Sequence, residues 1–120
     1  MGEPFEASEA WKSARMLTAQ VYAFGRRSPL AKDFGLRDQL QRAAVSVMNN
    51  LAEGWESLHD LEKRQAYNLA RCSCGEVRSR SYVLLDNGFI LPAEQTELLD
   101  RCIQTGKLIT GLIRALGDRT

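Results

Sequence analysis

Arginine recurs every seventh residue at Arg64, Arg71 and Arg78. Seven residues make about two helical turns, so these side chains would line one face of a helix. Tyr67 and Tyr82 fall near the same stripe. Cations interleaved with aromatic rings are the mix that RNA-binding surfaces use for phosphates and unstacked bases. Arg26, Arg27 and Lys63 would extend the patch, and Lys107 and Arg114 form a further seven-spaced pair. The competing reading is a solvated face whose arginines pair with Glu62, Glu76 and Asp86.

Other chemistry is harder to assemble. Glu56-Ser57-Leu58-His59 has the Glu-x-x-His spacing of di-iron bundles, but such a site needs two of these motifs and two more carboxylates. His59 is the single histidine. Three cysteines and one histidine suit zinc by type. Cys72 and Cys74, however, are two apart on a helix and point to nearly opposite sides. Cys72 and Cys102 are expected at similar heights across a helical hairpin, as free thiols. The chain lacks a Gly-x-Ser-x-Gly elbow, a phosphate-binding glycine loop and a second histidine for acid–base work. The expectation is a non-enzyme with no cofactor, no metal and no small-molecule substrate.

A second polar constellation lies where a core should be. Arg42, Ser46, Asn50 and Glu53 share one helical face. The segment 71–81 offers only Cys72, Cys74 and Val77 as apolar residues. If the two faces meet, Arg42 and Glu76 form a buried ion pair, with Ser46, Asn50 and Ser73 satisfying the remaining donors and acceptors. The alternative is a solvated stripe.

These residues need helices to position them. Apolar residues at spacings of three and four mark four segments, about 8–27, 36–55, 61–86 and 93–116. Ser28-Pro29 is expected to end the first. Asp60 is expected to cap the third, which Asn87-Gly88 stops. Pro92 opens the fourth. The short links predict an all-α, antiparallel up-down-up-down four-helix bundle forming one domain, 1–120. The fourth segment carries two apolar strips, one through Leu98, Cys102, Ile109 and Leu112, the other through Leu99, Ile103, Gly106 and Ile113. That surplus, with Gly106 and Gly111 permitting close approach, predicts self-association.

The 120 residues include 16 basic and 15 acidic side chains, a net charge of +1. So even a balance gives no bulk attraction to polyanions, and any such binding must be local. No apolar run approaches the roughly 20 residues of a membrane span. With no basic-then-apolar leader and an odd, low cysteine count, the expectation is a cytoplasmic protein that does not engage membranes.

The polar block is also a signature. Gly35-Leu36, Gln39-Leu40, Arg42-Ala43-Ala44-Val45-Ser46-Val47 and Asn50-Leu51-Ala52-Glu53-Gly54 resemble the pattern of a bacterial four-helix-bundle family, the S23-like or 23S rRNA intervening-sequence proteins. Ala70, Ser73 and Glu76 are similar to its second block, and Trp11, Val21-Tyr22 and Pro29 to its first helix and the link that follows. The resemblance implies a ring-like homopentamer. It also implies kinship with the accessory protein of diversity-generating retroelements, hence nucleic acid or a reverse transcriptase as partner. Departures are Ser28 for Phe, Cys72 for Gly and Arg78 for an acidic residue. The expected function is a non-catalytic, homo-oligomeric scaffold or adaptor. The alternatives are an RNA- or DNA-binding module and, more remotely, an enzyme with a site between protomers.

Overall fold

Four helices carry the chain in the computed structural model, which describes residues 2–117. They are α1 (Glu9–Gly25), α2 (Phe34–Glu56), α3 (Asp60–Asp86) and α4 (Pro92–Ala115). Short 3-10 turns at Phe5–Ala7 and Leu30–Lys32 precede α1 and α2.

Local chemistry sets the ends. Ser8 caps α1 by accepting from the Trp11 N–H at 3.4 Å, and Asp33 caps α2 by accepting from Leu36 N–H at 3.2 Å. Each side-chain acceptor satisfies one of the orphan amides of a first turn. His59, not Asp60, occupies the position before α3, and it makes no side-chain cap bond. Asp60 instead sits in the first turn, where its charge favours the positive end of the helix dipole. At the far end Gly88 takes φ +75°, and the Phe89 N–H reaches back to the Leu84 carbonyl at 2.9 Å. That is the glycine-based closure expected of Asn87-Gly88.

Helix α1 stops at Gly25, before the expected Ser28-Pro29 boundary. Leaving the helix early lets the Leu30–Lys32 turn bury Leu30. Gly25 itself is buried against α2, and a Cβ there would lie 2.6 Å from Gln41 Nε2.

Contacts between neighbours run in opposite sequence directions. Gly54 faces Tyr67 while Ser46 faces Ser73; Ser81 faces Gln95 while Arg71 faces Thr110; Ser13 faces Thr105 while Arg27 faces Glu94. The bundle is therefore antiparallel, with principal extents of 46 × 22 × 20 Å. Its core is built from Leu17 and Val21 of α1, Leu40, Val47 and Leu51 of α2, Val77 and Leu84 of α3, and Leu98 and Ile109 of α4. Truncating any such leucine to alanine costs about 2–5 kcal/mol through lost transfer energy and a residual cavity. Of the second apolar strip on α4, Leu99 and Ile113 are half-buried and Ile103 is exposed. Among the described residues no helix is long and apolar enough to cross a membrane.

Candidate nucleic-acid interface

The α3–α4 hairpin does not close over its whole length. Between the helices lies a groove of about 730 Å³. Its rim carries Arg71 and Arg78 from α3 and Lys107 and Arg114 from α4. Among the described residues no carboxylate lines it. The two seven-spaced pairs of the sequence thus face each other across an antiparallel seam. Arg71 is oriented by donating from Nε to Thr110 Oγ1 at 3.1 Å.

The groove is open because two glycines form its floor. A Cβ on Gly75 or on Gly106 would meet nothing within 4 Å. Beneath them Cys74 and Cys102 are buried. Cys74 Sγ donates to the Cys102 carbonyl at 3.2 Å. The Cys102 thiol beside it, the guanidiniums of Arg78 and Arg71 and the Gly106 amide together pull the Cys74 thiol below its ordinary pKa, against burial. The neighbouring Cys74 sulfur and burial push Cys102 the other way.

Several residues expected in the basic patch do other work. Arg64 reaches the Gly117 carbonyl past the end of α4, and its Nε is buried without a hydrogen-bond partner. Lys63 donates to the Gly54 and Trp55 carbonyls at 3.0 and 2.9 Å, so its charge serves the negative end of α2. Arg27 binds both carboxylate oxygens of Glu94, one at 3.0 Å, and also the Phe89 carbonyl at 3.2 Å. Arg26 is exposed at the end of α1, outside the groove. Tyr67 is only 3% exposed, too buried to stack on a base, and burial raises its pKa. Tyr82 remains exposed on α3. Of the expected patch, then, Arg71 and Arg78 line the groove, joined by Lys107 and Arg114.

The signature residues of α2 divide in the same way. Ser46 Oγ and Ser73 Oγ hydrogen-bond at 2.9 Å across α2 and α3, and Asn50 Nδ2 donates to the Ser46 hydroxyl at 3.0 Å and its carbonyl at 2.9 Å. The expected Arg42–Glu76 buried pair does not form. Arg42 is exposed, and Glu76, also exposed, pairs with Arg80 one turn along its own helix at 2.9 Å. A buried pair would have to repay the desolvation of two ions, whereas hydroxyls and an amide fill the seam at no such cost. Glu53 is exposed. Gly54 is buried against Tyr67, whose ring would lie 2.5 Å from any added Cβ.

Sequence reading missed the roles of Gly75, Thr110 and the Cys74–Cys102 contact. It paired Cys102 with Cys72, which is exposed on the other side of α3. The signal was available. In a hairpin whose link centres near Phe89, residues equally far from that link face one another, so Cys74 falls opposite the turn containing Cys102.

Fold and groove define an all-α four-helix-bundle protein with a cleft whose charged lining, among the described residues, is basic. The chain belongs to the 23S rRNA-intervening sequence protein family, whose pattern it matches over residues 6–111. Among solved structures it is similar to a protein of unknown function from the S23 ribosomal protein family of Bacteroides thetaiotaomicron. The two are 14% identical, with a TM-score of 0.81 over 88% of this chain and 95% of that one. At such identity the likeness speaks for the fold alone. No curated protein matches the chain.

Proposed function

We propose that this protein is a non-catalytic binding module that holds a phosphodiester backbone in the α3–α4 groove. One observation carries the reading: Arg71, Arg78, Lys107 and Arg114 converge on one groove that, among the described residues, no carboxylate lines. Local convergence of this kind supplies what a net charge of +1 cannot. Phosphate contacts by arginine and lysine position a nucleic acid without reading its sequence. The family description names 23S rRNA, which makes a structured RNA the natural first probe.

The test is fluorescence anisotropy with such an RNA across a salt series. Log K should fall with log salt at a slope of about 0.7–0.9 per neutralised phosphate. Arg71→Ala and Arg114→Ala should each lower that slope by about one such unit, while Arg26→Ala leaves it unchanged. An absence of binding at low salt rejects the reading.

A second reading, a homo-oligomeric scaffold, has its own support. Leu61, Leu69 and Val83 share the outer face of α3 and are all exposed. Such a row of exposed apolar side chains along one helix is a surface that a second copy of the chain could cover. The family resemblance of the sequence implies a pentamer. Light scattering tests it, and a monomeric mass at working concentration removes it.

A further inference from the structure

We propose that Cys74 and Cys102 form an oxidisable dithiol at the floor of the α3–α4 groove, which a hydroperoxide converts to a disulfide joining the two helices. Three features of the structure support this, and none depends on whether RNA binds.

The first is juxtaposition. The Cys74 thiol donates to the Cys102 carbonyl at 3.2 Å, which sets the two residues side by side across the α3–α4 seam. Bridging requires Cα atoms within about 7 Å. Facing positions on helices packed about 8–10 Å axis to axis reach that range. The second feature is access. Each cysteine is only 3% exposed, yet both line the groove. Gly75 follows Cys74 directly, Gly106 lies one turn after Cys102, and neither position is filled by a neighbour. A mid-helix glycine costs about 0.5–1 kcal/mol relative to alanine. Here the cost leaves a path to two sulfurs that alanine methyl groups would narrow. The third is polarity. Arg71 and Arg78 stand over Cys74, and cations beside a thiol favour the thiolate, the reactive form. Cys74 is thus the attacking sulfur and Cys102 the resolving one.

The chemistry balances. The Cys74 thiolate attacks the terminal peroxide oxygen; an S–O bond forms and the O–O bond breaks. The departing oxygen takes the proton that Cys74 gave up and leaves as water or an alcohol. The Cys102 thiol then attacks the Cys74 sulfenic acid. An S–S bond forms, the S–O bond breaks, and hydroxide leaves with the Cys102 proton as water. Two thiols lose two electrons and one peroxide gains them. Cys72 is exposed on the far side of the helix and takes no part.

The experiment uses the full chain, reduced, exposed to hydrogen peroxide and quenched with maleimide. Tryptic peptides 72–78 and 102–107 carry the three cysteines, so Cys72→Ser is needed to separate Cys72 from Cys74. In Cys72→Ser the expected product is a monomer lighter by two hydrogens, with those two peptides cross-linked and dithiothreitol restoring both thiols. Cys74→Ser should lose the cross-link, and Gly106→Ala should slow it. Recovery of unreacted thiols, sulfinic acid without a cross-link, or only intermolecular disulfides would overturn the proposal. Should Cys74→Ser fold poorly, Cys102→Ala provides the same control, because a cross-link surviving in it would be equally fatal.

Discussion

Helix α3 meets two neighbours along its length, and the two seams are built on opposite plans. Toward α2 the seam is closed. Gly54 admits the Tyr67 ring, Ser46 and Ser73 satisfy each other, Asn50 closes the set, and Lys63 caps the end of α2. Toward α4 the seam is open. Gly75 and Gly106 face empty space, and the charged residues at its rim are cations, with no acid lining the cleft among the described residues. A helical glycine therefore means two different things in one bundle. At Gly54 it is room taken by a neighbour; at Gly75 and Gly106 it is room left vacant. The first is a packing requirement, and the second leaves the groove open to a ligand.

The sharpest test of that distinction is Gly54→Ala. A Cβ would sit 2.5 Å from Tyr67 Cε1 and 3.2 Å from the Ala66 Cβ, and the buried ring has little freedom to retreat. Overpacking of this kind costs about 1–3 kcal/mol, more than the helical gain from alanine. Urea denaturation should show the loss as a lower midpoint at unchanged slope. Adding Tyr67→Leu should recover part of it, because the two positions are in contact and their effects are not additive. A neutral Gly54→Ala would show that the closed seam has slack, and the contrast with α4 would collapse.

Gly75→Ala and Gly106→Ala should act in the other direction, by a smaller amount. With no neighbour to displace, each gains helix propensity, about 0.5–1 kcal/mol. The same substitutions should weaken RNA binding in the groove while raising stability. If either destabilises the protein in solution, the vacancy is filled there, and a second copy of the chain becomes the first suspect. Light scattering on the variant would decide between a lost oligomer and a strained monomer.

How far the sequence reveals these seams depends on which signal each uses. Helix periodicity and the stops at Asn87-Gly88 and Pro92 mark the four helices to within a few residues, because backbone preferences are local. The cationic groove is half legible. Arg71 and Arg78 declare one face, but Arg64, equally well spaced, and its neighbour Lys63 are diverted to backbone carbonyls at helix ends. Nothing in a seven-residue spacing says which carbonyl lies nearby. Tyr67 is misread for a related reason. An aromatic near basic residues looks like a stacking platform until Gly54, thirteen residues earlier, is seen to make a socket for it. The Arg42–Glu76 pair fails because opposite charges suggest a partner only when both faces turn inward, and Arg80, one turn along, is the nearer choice.

The smallest expected effect concerns what fixes α4 from the side away from the groove. Ser13 and Thr105 hydrogen-bond at 2.7 Å in the core between α1 and α4. At the end of the bundle Glu94 receives Arg27 and the Leu91 N–H, at 2.8 Å for the latter. These bonds, from Arg27 first, lower the Glu94 carboxyl from 4.5 to about 2. A carboxyl depressed in the folded state stabilises the fold above its unfolded value and loses that contribution as pH falls through the folded one. The difference in Tm between the wild type and Glu94→Gln should therefore be constant above pH 4.5, shrink between 4.5 and about 2, and vanish below. The clasp is partly solvated, so the effect should be modest and weaken with salt. Groove binding at pH 7 should survive Glu94→Gln if Ser13, Thr105 and the apolar core suffice to hold α4 away from α3. Loss of binding in a well-folded Glu94→Gln protein would show instead that the open seam depends on the clasp at its far edge.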